Sequence, residues 1–283
     1  MTTVLSDVVR TVRAWPIFGF YIAATLVVAT IIGLITVNVI DLGMQHFGEA
    51  SHRTHDVAYG ALFTTLVLGV LVQLRRPEHN VAGMVMALVP SASLLLAAVL
   101  VDDIDRVFEF NPLRYAAAVA AVTALLHPSG RAFFRSFQLS AISWPMVALV
   151  GVAAVPLLGF VSTNVRLQRD AMDMHVFMGH YGFMAALAYT IIGVGLLASL
   201  RPVGWRLTAW VAAGLAAVLG GTSLLYPDAA SSLATGWALA AIAWAAAFVV
   251  LSLRTEDAHH RITMAGPDAA SDAHGLARVQ LSR

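Results

Sequence analysis

Long apolar runs recur along this chain, separated by short polar segments. Eight can be drawn, at about 17–40, 57–74, 81–101, 112–127, 139–161, 181–200, 207–225 and 233–253. A helix needs roughly 20 predominantly apolar residues to cross the hydrocarbon core of a bilayer, and most of these runs approach that length. Backbone groups without partners are too costly in lipid, so the runs are predicted to be helices, which pair their own N–H and C=O groups. The fourth is the weakest, because its clean apolar core is only Tyr115 to Leu126 and Arg114 has to reach back to the interface. Pro90, Pro145 and Pro156 fall within runs and are expected to kink them.

One stretch occurs twice. His55 to Pro77, HDVAYGALFTTLVLGVLVQLRRP, is echoed 125 positions later by His180 to Pro202, HYGFMAALAYTIIGVGLLASLRP. The shared positions are His55/His180, Ala61/Ala186, Leu62/Leu187, Thr65/Thr190, Leu71/Leu196, Arg76/Arg201 and Pro77/Pro202. A second echo sets Thr36-Val37-Asn38-Val39 against Ser162-Thr163-Asn164-Val165. Apolar identities come cheaply in a chain rich in Ala, Leu and Val, but the polar punctuation coincides as well. The expected fold is therefore an all-α integral membrane protein whose eight transmembrane helices form two tandem four-helix repeats. Four crossings return the chain to its starting side, so the repeats run parallel, about an axis along the membrane normal. The first repeat would span 1–127, a cytoplasmic linker 128–140 and the second repeat 141–253. A polar tail, 254–283, has no periodic apolar face and is expected to be disordered.

Composition fits this reading. Of 283 residues, 59% are hydrophobic and only 12% charged, about half the charged share of a soluble domain. All 17 basic residues are arginine. With no lysine, a retinal-type Schiff base is excluded, and with no cysteine, so are disulfides and thiolate sites. With the N-terminus inside, 12 of the 17 arginines fall in inner segments and five in outer ones. This positive-inside bias puts both termini in the cytoplasm of a multi-pass protein of the cell membrane, read here as a bacterial inner membrane. The first apolar run is too long for a signal-peptide core and reads as a retained span.

The outer side carries the candidate chemistry. The first outer segment, DLGMQHFGEASHRTHD, holds His46, His52 and His55; the third, RLQRDAMDMHVFMGHYGFM, holds His175, Met178 and His180. Half of the ten histidines lie in these two segments. Imidazole with thioether and carboxylate suits a first-row transition metal, copper or zinc. His52 and His55, three apart, would share a helix face. His55 and His180 occupy equivalent repeat positions at the mouths of two spans. Facing each other across the repeat axis, they would hold a metal or a haem b. No HExxH or cysteine-based zinc spacing is present, and interfacial histidines with no ligand are common. The acidic Asp102-Asp103-Ile104-Asp105 lacks the spaced ligands of a calcium loop and reads as a solvated face.

No Asp, Glu or His lies mid-span, where proton relays place them. No catalytic motif or nucleic-acid stripe is visible, so an enzymatic role is the less favoured reading and the expected partners are the lipid bilayer and other membrane proteins or further copies of this chain. Three functions stay open: a metal or haem protein for electron transfer or metal handling, a permease for a neutral or apolar molecule, and a non-catalytic membrane scaffold.

Overall fold

The computed structural model describes residues 17–30, 50–102, 113–130, 135–138 and 141–264. These residues form helices α1 (Ile17–Thr30), α2 (Ala50–Leu71), α3 (Val81–Val101), α4 (Leu113–Leu125), α5 (Trp144–Asp170), α6 (Met174–Phe177), α7 (His180–Leu200), α8 (Trp205–Leu225) and α9 (Thr235–Met264). No strand occurs among the described residues. Six helices, α2, α3, α5, α7, α8 and α9, are long and apolar enough to cross a membrane. The protein is thus a multi-pass helical membrane protein. Within the described residues, the first and fourth apolar runs are represented by α1 and α4. The Thr36–Val39 side of the second echo lies outside the described residues.

Helix α7 is the most buried of the six and forms the middle of the bundle. Its small residues explain this position, since they let neighbouring backbones approach closely in lipid. A methyl group at Gly193 would meet the Val89 side chain of α3 at 2.9 Å, and one at Gly195 would meet Val150 of α5 at 3.0 Å. Helix α2 packs beside α3, α7 and α8. It crosses α3 most closely at Gly69, where an added Cβ would lie 2.8 Å from the Ala87 backbone nitrogen and closer still to the Gly83 carbonyl oxygen. Outward faces of α5 and α9 expose Val152, Val155, Leu239 and Val250, the surface expected of helices in contact with lipid.

Two expectations change. Pro145 does not kink a span: it occupies the first turn of α5, where the missing N–H has no intrahelical partner to lose. Pro90 and Pro156 do lie inside α3 and α5. Helices also outrun their apolar cores. Ala50 to Asp56 is the first turns of α2, and Val165 to Asp170 the last turns of α5, rather than loop. Helix α9 likewise continues past Leu253 to Met264. A helix backbone pairs its own polar groups in water as well as in lipid, so nothing compels it to stop at the edge of the apolar run.

One end of the bundle gathers the start of α2, the end of α5 with α6, the start of α7 and the α8–α9 connection. Arg169 of α5 ties α3 into this end, donating to the Leu100 and Val101 carbonyls at the α3 C-terminus, where a cation satisfies both orphan acceptors and the helix dipole. The opposite end is closed by a polar cluster. Gln73, fully buried, donates to the Gly69 and Asn80 carbonyls at 2.9 Å each, and its Oε1 lies 3.3 Å from His127 Nε2.

Candidate metal centre

The candidate site is built where α2 meets the α5–α6–α7 turn. His52 and His55 lie in the first turns of α2, three residues apart and on one face. The other half depends on a tight reversal after α5. Asp173 caps α6, its Oδ1 accepting from the Val176 amide at 3.1 Å. Gly179 then adopts φ 71°, a left-handed conformation that glycine takes without steric penalty, and α7 starts at the next residue. Gln168 of α5 clamps both sides of the break, donating to the Val176 carbonyl at 2.8 Å and accepting from the Gly182 amide at 3.2 Å. His175 and His180 are thereby delivered to the face of α2 that carries His52 and His55.

Four imidazole rings converge. Ring centroids are 4.4 Å apart for His52 and His175, 5.2 Å for His52 and His180, and 5.7 Å for His175 and His180. His55 lies 4.8 Å from His175 and 5.1 Å from His180. One ring nitrogen from each of His52, His175 and His180 falls within 4.8 Å of the others. A triangle with every edge at 4.8 Å has its corners about 2.8 Å from its centre, and zinc–imidazole bonds are about 2.0–2.1 Å. Side-chain rotations of less than about 1 Å therefore bring three nitrogens onto one ion. Two ring nitrogens here are poorly satisfied without it: Nε2 of His175 and Nδ1 of His180 are buried with no hydrogen-bond partner among the described residues. Such groups ordinarily cost about 1–3 kcal/mol each. An ion would satisfy them.

An anion stands behind the cluster. Asp173 Oδ2 accepts from the Tyr181 hydroxyl at 2.7 Å and lies 3.5 Å from His175 Nδ1. Partial burial pushes the Asp173 carboxyl up, but the hydrogen bonds from Tyr181 and the Val176 amide, with His175 alongside, outweigh that and hold it below its ordinary value. The carboxylate is thus ionised at neutral pH. A carboxylate facing the far nitrogen of a ligating histidine sets its tautomer and raises its basicity.

The six residues singled out in the sequence separate here. His52, His55, His175 and His180 come together. Met178 follows α6 and is 40% exposed, and Met172 and Met174 are more exposed still. His46 lies outside the described residues. The donor set on view is nitrogen, which suits zinc, copper(II) and their neighbours rather than a thioether-rich copper(I) site. A haem does not fit between His55 and His180: a macrocycle needs a slab of space between its two axial imidazoles, and these rings lie 5.1 Å apart at an interplanar angle of 23°.

Sequence reasoning missed the supports. Ser231, in the α8–α9 connection, and Asn164 of α5 are both buried and hydrogen-bond in series behind His55. Asn164 carried only a faint signal, an amide just past the end of the fifth apolar run and within the second echo. Ser231 carried none.

No family model, curated protein or solved structure matches this chain.

Proposed function

We propose that this is an eight-span protein of the cell membrane, built as two tandem parallel four-helix repeats, that holds one transition-metal ion at its outer face. His52, His175 and His180 are the ligands, and the centre serves metal handling or electron transfer. The observation that carries the metal reading is the convergence of three imidazole nitrogens within 4.8 Å, with His175 Nε2 and His180 Nδ1 buried there and lacking a hydrogen-bond partner among the described residues. The arginine bias supports an outward-facing site and cytoplasmic termini. The alternation of the described helices between the two ends of the bundle is consistent with that direction of travel.

Metal analysis of the purified protein is the test. The expected result is about one equivalent of zinc or copper per chain, removed by chelator and restored by adding the metal back. Protein that takes up less than about a tenth of an equivalent from a modest excess of either ion would end the reading.

A further inference from the structure

The hydrogen bonds behind His55 can be assigned a direction, one atom at a time. Asn164 Nδ2 donates to the Phe160 carbonyl at 3.0 Å, which fixes the amide so that Oδ1 is the end facing Ser231. An amide oxygen only accepts, so the Ser231 hydroxyl donates to it, at 2.7 Å. With its hydrogen used, Ser231 Oγ is left as an acceptor toward His55 Nε2, 3.1 Å away. Nε2 must then carry the proton. In a neutral imidazole one nitrogen is the donor and the other the lone pair, so the lone pair of His55 is on Nδ1, on the side of the ring away from Ser231.

We propose that His55 is the fourth ligand of this centre, through Nδ1, and that Ser231 and Asn164 are the positioning residues that aim it. The inference rests on the metal reading above and adds to it a closed coordination shell of four imidazoles. The ring of His55 lies 4.8 Å from that of His175 and 5.1 Å from that of His180, centroid to centroid, within the range of spacings among the other three rings. Its nitrogens are not among those already within 4.8 Å of one another, so ligation requires the ring to turn toward the ion. The support is expensive in a membrane protein. His55, Ser231 and Asn164 are at most 2% exposed, and they come from α2, the α8–α9 connection and α5. Ligating histidines characteristically give their second nitrogen to such a partner, which fixes ring orientation and tautomer. Four protein ligands leave no position for water. A zinc ion held this way is structural rather than hydrolytic, and a copper ion exchanges electrons without binding a substrate.

The experiment uses the full chain in detergent, loaded with Co²⁺ as a spectroscopic stand-in for zinc. A metal-bound water at such a site ionises near neutral pH, so an open centre changes its visible spectrum through that range and a closed one does not. Wild type should give a four-coordinate spectrum that is constant from about pH 7 to about pH 9. His55→Ala should open the site and make the spectrum titrate. Ser231→Ala and Asn164→Ala should each weaken Co²⁺ binding by about 10- to 100-fold and bring in the same titration. Ser231→Thr, which keeps the hydroxyl, should restore wild-type behaviour. A role limited to tying helices together would lower stability but leave the spectrum of the bound ion unchanged. A wild-type spectrum that already titrates, or a His55→Ala protein with unchanged spectrum and affinity, overturns the inference while leaving the three-histidine site standing. Failure of wild type to bind Co²⁺ overturns both.

Discussion

Thr65 and Thr190, 125 positions apart, make the same hydrogen bond: each hydroxyl donates to the carbonyl four residues earlier, Ala61 at 2.8 Å and Ala186 at 2.7 Å. Donor and acceptor are both identities between the two halves of the sequence, in α2 and α7. Buried threonines in membrane helices commonly bond back in this way, so the pair accords with a duplication without requiring one. The proposed topology makes the stronger prediction. Reporters fused after Arg76 and after Leu253 should both read cytoplasmic, as two parallel repeats of four spans require. A periplasmic signal at either position would remove the eight-span arrangement.

The ligand set predicts a selective loss of metal. His52→Ala, His175→Ala and His180→Ala should each lower affinity for Zn²⁺ by at least about tenfold, because the nitrogens act as one chelate. His79→Ala, in the turn between α2 and α3 at the far end of the bundle, should bind as wild type does. Isothermal titration reads both, and equal binding by all four variants would place the ion elsewhere.

Metal binding should depend on pH. Imidazole ligates only when neutral, and an unperturbed ring gains its proton near pH 6.5. Competition with protons should therefore make affinity fall as the pH is lowered through the imidazole range. A flat affinity between pH 7 and pH 5 would count against histidine ligation.

His127 predicts a separate effect on stability, at the other end of the bundle. Burial pushes its imidazole below the ordinary value, against smaller opposing effects of the Pro77 carbonyl and Glu78. Its Nδ1 accepts from the Ser129 amide at 3.2 Å, so the neutral ring donates from Nε2 to Gln73 Oε1. Folded His127 resists a proton that the unfolded chain accepts near pH 6.5, so stability is complete above that pH. It declines as the pH falls, until folded His127 also protonates. Thermal unfolding between pH 7.5 and pH 5 should show this decline, and His127→Gln should flatten part of it. An identical slope in both proteins would show that His127 is not a source.

Backbone proximity predicts a contrast between two glycines of α2. Gly69→Ala drives a methyl group into the α3 backbone at Ala87 and Gly83, an overpacking expected to cost about 1–3 kcal/mol. Gly60→Ala meets nothing within 4 Å and should be neutral or stabilising by roughly 0.5–1 kcal/mol, the usual helix preference for alanine. Denaturant midpoints for the two variants check the order.

How much was legible in advance follows from what each feature depends on. The helices of the six candidate spans and the membrane class were written in the apolar runs, because lipid leaves a chain no other way to pair its backbone, and that constraint acts locally. The histidines at one end could be picked out as a group for the same reason, since the alternation of spans sorts polar segments by side. Which of them meet was not legible. His52 and His180 are brought together by the packing of α2 on α7, by the single left-handed turn at Gly179 and by the Gln168 clamp, none of which has a periodic signature. The turning of Met174 and Met178 to the surface and the hydrogen-bonded chain from Asn164 through Ser231 to His55 were decided the same way. They depend on where α5 and the α8–α9 connection come to rest against α2, and side-chain partners 67 and 176 positions apart are chosen by packing, not by local sequence.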